Sequence, residues 1–397
     1  MASRIPGPSA LDDPEAQPVV EGRPGVRLRQ ALQELPSYVP GASGANASVF
    51  KLSSNEVPFP PLPAVISAIA DTAEDANRYP EMYGDRLLRA IAAHHGIRED
   101  QVIIGNGSVA LAELLVRSMC VEGDEVVYAW RSFEAYPILI QVTGALGVPV
   151  PLGEGGTHDL RAMAAAVTDR TRVMLVCSPN NPTSTAITQA DLIGFLDSVP
   201  SDVMVVLDEA YTHFTRSADP IDSVPLLQTY KNIVILRTFS KAYGLAGLRV
   251  GYALARRRLI RGLRVASTPF GVSAVAQAAA LAALRQQRQV DERVDAVVVE
   301  RERVVSALRA QGWDLPDAQG NFYWLALGER SVAFANEAME SGIAVRPFAG
   351  DGVRVSVGES EANDIAIRLA ERWAPSRAAG RANPSAGPVT SAPRGRT

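Results

Sequence analysis

Short apolar runs recur through the middle of the chain, and most are followed by a longer segment with helical spacing. Runs at residues 102–104, 126–129, 148–151, 172–177, 203–207, 233–236 and 250–254 read as strands. Segments 108–120, 133–143, 159–167 and 188–198 read as helices. Strands that are apolar at every position need cover on both faces. The alternation therefore predicts an α/β layer around a largely parallel sheet. Past residue 273 the rhythm changes. An alanine-rich helix over 274–284, most simply a packed one, leads into a long charged helix over 290–310. Strands follow at 322–327, 343–345 and 353–357, then a last helix at 363–373. That portion is α+β in character and predicts a second, smaller domain.

The ends break this pattern. Residues 1–26 are rich in Pro, Gly, Asp and Glu and are expected to form a disordered leader. Residues 376–397 hold four arginines and no acid and are expected to form a solvated tail. The chain of 397 residues carries a formal net charge of −4, so the portion up to Pro375 carries −8. An acidic body lacks the basic stripe that nucleic-acid binding requires. The longest uncharged stretch, 135–153, is broken by prolines and glycines and predicts no membrane span. Its start has no basic segment followed by an apolar one, so a cytoplasmic location is expected. Two cysteines (Cys120 and Cys177) and four histidines, with no CxxC and no HExxH, point away from disulfides and metal centres. The histidines are expected to be surface or satisfied polar residues.

Three segments concentrate the chemistry. Ser178-Pro179-Asn180-Asn181-Pro182-Thr183, Asp208-Glu209-Ala210-Tyr211 and Arg237 to Arg249 each follow an apolar strand. The carboxyl ends of strands form the ligand crevice of open α/β sheets. An aldehyde cofactor needs an amine, which Lys241 can provide. A pyridine ring used as an electron sink needs a buried carboxylate, and Asp208 qualifies, though it could also merely cap the following turn. Tyr211 and Asn181 can serve a ring hydroxyl. Arg249, Thr238 and Ser240 suit a phosphate, to which Gly107 and Ser108, opening a helix, would add backbone N–H groups. Taken alone, Gly105-Asn106-Gly107 is weak, since it lacks the third glycine of a dinucleotide fingerprint.

With these segments in this order the sequence resembles the fold-type I pyridoxal-phosphate aminotransferases. Within them it is similar to the histidinol-phosphate and aromatic amino acid aminotransferase branch. The resemblance runs from about residue 27 to 373 and implies an aspartate-aminotransferase-like α/β fold. It divides the chain into an arm at 27–61, a large cofactor-binding domain at 62–272 and a small domain at 273–375 joined by that arm. It implies pyridoxal 5'-phosphate as cofactor, amino acid and 2-oxo acid substrates, ping-pong kinetics and a homodimer. It makes Lys241 the Schiff-base lysine, Asp208 the partner of the pyridine nitrogen, and Tyr211 and Asn181 partners of the ring hydroxyl. Gly107, Ser108, Thr238, Ser240 and Arg249 would hold the phosphate.

Phe133 falls where the family stacks a ring on the cofactor, and Arg354 where it clamps the substrate carboxylate. Tyr79, with Tyr83 competing, falls near the tyrosine that reaches the neighbouring subunit's phosphate. Tyr38 resembles the tyrosine of an N-terminal arm that closes over the site. Asn55 lies in Ser54-Asn55-Glu56-Val57-Pro58, where histidinol-phosphate enzymes carry Asn-Glu-Asn-Pro. Phe270 adds apolar surface where such relatives often have Tyr, and Arg346 is available to an acidic co-substrate or a phosphate. The departures favour an aromatic substrate with 2-oxoglutarate over histidinol phosphate. A lyase or decarboxylase on the same fold, and a non-catalytic module, are the remaining alternatives.

Overall fold

The computed structural model describes residues 49–375 together with Val26. Twelve strands run through the described residues: β1 (Phe50–Lys51), β2 (Val102–Gly105), β3 (Glu125–Trp130), β4 (Leu146–Pro151), β5 (Thr171–Cys177), β6 (Met204–Asp208), β7 (Ile233–Thr238), β8 (Gly251–Ala255), β9 (Phe322–Leu325), β10 (Ile343–Ala344), β11 (Arg346–Phe348) and β12 (Gly352–Ser356). Seven of them form one sheet in the order β2-β8-β7-β6-β5-β3-β4. The pairs from β4 through β7 are parallel, whereas β8 runs antiparallel to both β7 and β2. The sheet is thus mixed but mostly parallel, the aspartate-aminotransferase-like α/β arrangement.

Every residue of β6 and all but Arg172 of β5 are buried, as strands covered on both faces must be. Each buried Val or Leu there contributes about 1.5–3 kcal/mol. Asp208, at the end of β6, is the exception, because a buried carboxylate costs stability unless it finds partners. Helices Gly107–Met119, Ala135–Thr143 and Arg257–Ala266 cover one face. Asp85–His95, Leu160–Ala165 and Gln189–Ser198 cover the other. The alanine-rich helix Ala274–Leu284 is packed as expected, its small side chains letting Pro63–Ala73 and Asp85–His95 approach closely.

Several boundaries moved. Phe133 lies in the loop before its helix, which begins at Ala135. The single strand expected at 343–345 is two: β10 pairs in parallel with β1, and β11 joins the antiparallel sheet β11-β12-β9. Helices Pro63–Ala73, Asp85–His95, Arg257–Ala266 and Ser331–Glu340 were not anticipated. Among the described residues no helix is long and apolar enough to cross a membrane, and no cluster of His, Cys, Asp and Glu could hold a metal ion.

Candidate active site

The carboxyl ends of β5, β6 and β7 lie in register, with Cys177 opposite Asp208 and Asp208 opposite Leu236. The three motif loops therefore leave the sheet side by side. Above them opens a cavity of about 550 Å³. Lys241, Asp208, Tyr211, Asn181, Ser108, Phe133, Thr238, Ser240, Arg249, Arg346 and Arg354 all line it. Most of the expected site residues thus meet in one place.

Asp208 caps the turn that follows β6 and has a second partner besides. One oxygen, Oδ1, accepts from the Ala210 N–H at 3.2 Å, a turn-capping bond; Oδ2 accepts from the Tyr136 hydroxyl at 2.8 Å. Burial pushes its pKa above the ordinary carboxylate value, while these two donors pull it back. A cation placed beside it would favour the ionised form further. Tyr136 was not foreseen from the sequence. It stands in the first turn of its helix, and its ring meets that of Phe133, in the preceding loop, edge to face at 5.5 Å.

Lys241 Nζ donates to the Ser54 carbonyl at 2.9 Å and lies 5.6 Å from the centre of the Tyr211 ring. Burial, then the Arg354 guanidinium, lowers its pKa to about 7. Near neutrality about half of this amine is therefore uncharged and able to act as nucleophile or base. Tyr211 accepts from Asn55 Nδ2 at 3.0 Å. Asn55 is itself tied to Ser356 on β12, with its backbone in the left-handed region at φ 52°. Arg354 donates to Asn181 Oδ1 and to the Ser53 carbonyl, each at 2.5 Å. The Asn181 loop is pinned by the fully buried Asn180, which accepts from Ser132 and donates to Thr183.

Arg249 lies in the loop that enters β8, in the left-handed region at φ 53°. Its guanidinium donates to Ser240 Oγ at 3.3 Å and to the Ala246 carbonyl at 3.0 Å. Thr238 Oγ1 accepts from the Ser240 N–H. Gly107 has φ 78°, and a Cβ there would stand 2.6 Å from an Arg249 nitrogen. A Cβ on Gly251 would stand 2.8 Å from the Ser108 N–H nitrogen. The bare backbone keeps open a cradle of guanidinium, hydroxyls and helix N-terminus, which suits a phosphate. With an amine, a carboxylate, a phenol and an aromatic ring beside it, this donor set fits pyridoxal phosphate.

Two expected residues, Tyr79 and Phe270, stand elsewhere. Tyr79 is exposed and packs on Phe270, ring centres 4.9 Å apart, and neither lines the cavity. Phe270, 40% exposed, thus adds no apolar surface to the cavity of its own chain. Tyr38 lies outside the described residues. Among the histidines, His158 departs from expectation: it is buried beside Asn180, and its Nδ1 has no hydrogen-bond partner. The candidates missed by sequence reasoning, Tyr136, Ser53, Ser54 and Glu134, act through folding partners distant in sequence.

The class I and II aminotransferase family profile matches residues 47–369. An aromatic amino acid aminotransferase of Streptomyces coelicolor is 52% identical over 349 residues, which cover 87% of this chain and 97% of that protein. One from Thermobifida fusca is 49% identical over 348 residues, covering 87% and 97%. Among solved structures, histidinol-phosphate aminotransferase from Sinorhizobium meliloti, in complex with pyridoxal-5'-phosphate, superposes with a TM-score of 0.78. Its identity is 25%, over 88% of this chain and 99% of that one. A Thermus thermophilus aspartate aminotransferase mutant, 22% identical, superposes with a TM-score of 0.75 over 88% and 100%, a likeness of fold.

Proposed function

The chain belongs to the class I and class II aminotransferases, pyridoxal-phosphate enzymes, and on that premise we propose that it moves the amino group of an aromatic amino acid to 2-oxoglutarate. The likeness to aromatic amino acid aminotransferases over nearly their whole length carries the choice of substrate. The cavity supports it, because Ile138, Leu139, Val142 and Phe348 give its lining an apolar part beside the charged groups.

Pyridoxal phosphate, when bound, supplies an aldehyde that amines attack and a ring that takes up the electron pair released as the substrate's α-C–H bond breaks. In our reading Gly107, Ser108, Thr238, Ser240 and Arg249 would hold its phosphate, Phe133 would stack on its ring, and Tyr211 and Asn181 would serve its ring hydroxyl. Asp208, steadied by Tyr136, keeps a negative charge against the ring nitrogen. Lys241, relieved of its proton by burial and by Arg354, would take the α-proton and deliver it to the former aldehyde carbon across the imine nitrogen. Arg354, held in place by Ser53 and Asn181, receives the substrate carboxylate through its two-pronged face. The same groups then serve the 2-oxo acid in reverse, which gives ping-pong kinetics.

The deciding assay compares phenylalanine with histidinol phosphate, each paired with 2-oxoglutarate. A higher kcat/KM is expected for phenylalanine. A value about tenfold higher for histidinol phosphate, or 1.4 kcal/mol of transition-state preference, would overturn the aromatic reading.

We further propose a cytoplasmic homodimer. The two cysteines are free and buried, as suits a reducing compartment. Tyr79, 84% exposed, and Phe270, 40% exposed, form an aromatic pair that a second copy would cover. A sedimentation mass of twice 42.3 kDa is expected, and a mass equal to one chain would refute the dimer.

A further inference from the structure

Arg346 and Arg354 stand directly opposite each other across β11 and β12. Directly paired residues project from one face of a sheet, so both guanidiniums enter the same cavity, where both are 8% exposed. Like charges at such a separation repel, and each needs compensation. They obtain it differently. Arg354 donates to two neutral oxygens, of Ser53 and Asn181. Arg346 donates to the carboxylate of Glu134 at 2.7 Å. Glu134 is the N-cap residue of the helix Ala135–Thr143 and heads a stripe that continues one and two turns on with Ile138 and Val142, both on the cavity wall.

The side-chain end of the cavity therefore presents an apolar wall and a neutralised ion pair. An aromatic side chain meets no bare charge there. A substrate with a second carboxylate meets a guanidinium already held by an internal acid. We propose that Glu134 is the residue that sets the balance between the two substrate classes. It occupies Arg346 while an uncharged side chain is bound and yields it to the distal carboxylate of the acidic partner. The inference rests on the aromatic amino acid and 2-oxoglutarate reading given above. No bond is made or broken: one carboxylate replaces another on Arg346, and Glu134, 28% exposed at its side chain, turns to solvent.

The test is equilibrium binding of two unreactive acids to the holoenzyme, glutarate with two carboxylates and 3-phenylpropanoate with one. Glu134→Gln is expected to tighten glutarate by about tenfold, the size of a modest charge-pair coupling. It is expected not to tighten 3-phenylpropanoate. Glu134→Asp, which keeps the charge but shortens its reach, is expected to tighten glutarate by less, and it carries the test should the Gln variant fail to fold. In turnover, KM for 2-oxoglutarate falls with Glu134→Gln while kcat does not rise. A tie that merely holds the loop to the small sheet predicts instead that both ligands weaken together. That result, an unchanged glutarate affinity, or an equal gain for both ligands overturns the proposal. Asp351→Asn breaks the neighbouring Arg131–Asp351 pair, and a shift in selectivity equal to that of Glu134→Gln would likewise overturn it. Glutarate binding needs no turnover, so this outcome is separate from whether phenylalanine proves to be the substrate.

Discussion

Replacing Lys241 with alanine is expected to lower kcat by at least about 10³-fold, within the range for loss of an acid–base group that also acts as a nucleophile. The holoprotein's visible absorbance band should be lost with it. Lys241 Nζ is the amine of the cavity whose pKa is displaced to about 7, by burial first and then by Arg354 and Arg249, with Glu56 opposing. The direction gives a second expectation. A lowered lysine pKa makes the neutral amine available above pH 7 and removes it below. Capture of pyridoxal phosphate by the cofactor-free chain should therefore quicken by about tenfold between pH 6 and pH 8 and then level off. An unperturbed lysine would go on quickening up to about pH 10. Full activity in the alanine variant, or a capture rate still climbing at pH 9.5, would remove Lys241 from its assigned role.

The next largest loss is expected from Asp208→Asn, an exchange that keeps shape and removes charge. About 10²–10³-fold in kcat is the typical scale when one preorganised electrostatic partner of the transition state is lost. The location explains the size. Asp208 closes a wholly buried strand, where water would not screen the interaction with a ring nitrogen proposed for it. Tyr136→Phe should act in the same direction and more weakly. It also has a distinct signature. The Tyr136 hydroxyl lowers the Asp208 pKa, so its removal lets that pKa rise and moves the acid limb of kcat/KM to higher pH. A Tyr136→Phe profile that coincides with the unsubstituted one would show that the bond positions nothing.

The chemistry-bearing loops were legible in the sequence because each directly follows a strand that is apolar at nearly every position. β5, β6 and β7 announce themselves by composition, and Asn181, Asp208 and Lys241 follow at short, fixed distances. Helices such as Pro63–Ala73 and Ser331–Glu340 were missed because their apolar faces are short and interrupted. Phe133 was assigned to a helix, but the turn at Ser132 and Glu134 holds it outside. Tyr136 is legible only from its partner Asp208, 72 positions away. Glu134 carried no signal, since nothing local distinguishes a glutamate facing an arginine on β11 from one facing water.

What the sequence by itself determined is the layer of parallel strands, the order of the three motif loops and the identity of the amine, carboxylate, amide, phenol and guanidinium. These follow from hydrophobic period and from residues a few positions apart, which the chain brings together whatever else happens. Only the tertiary structure decided how those groups are paired. Asn55 on Tyr211, Ser54 on Lys241, Arg354 on Asn181 and Glu134 on Arg346 join residues between 156 and 212 positions apart. Such pairings depend on strand register and on which loops share an edge of the sheet. The register in turn comes from packing summed over the whole core, which no local pattern encodes.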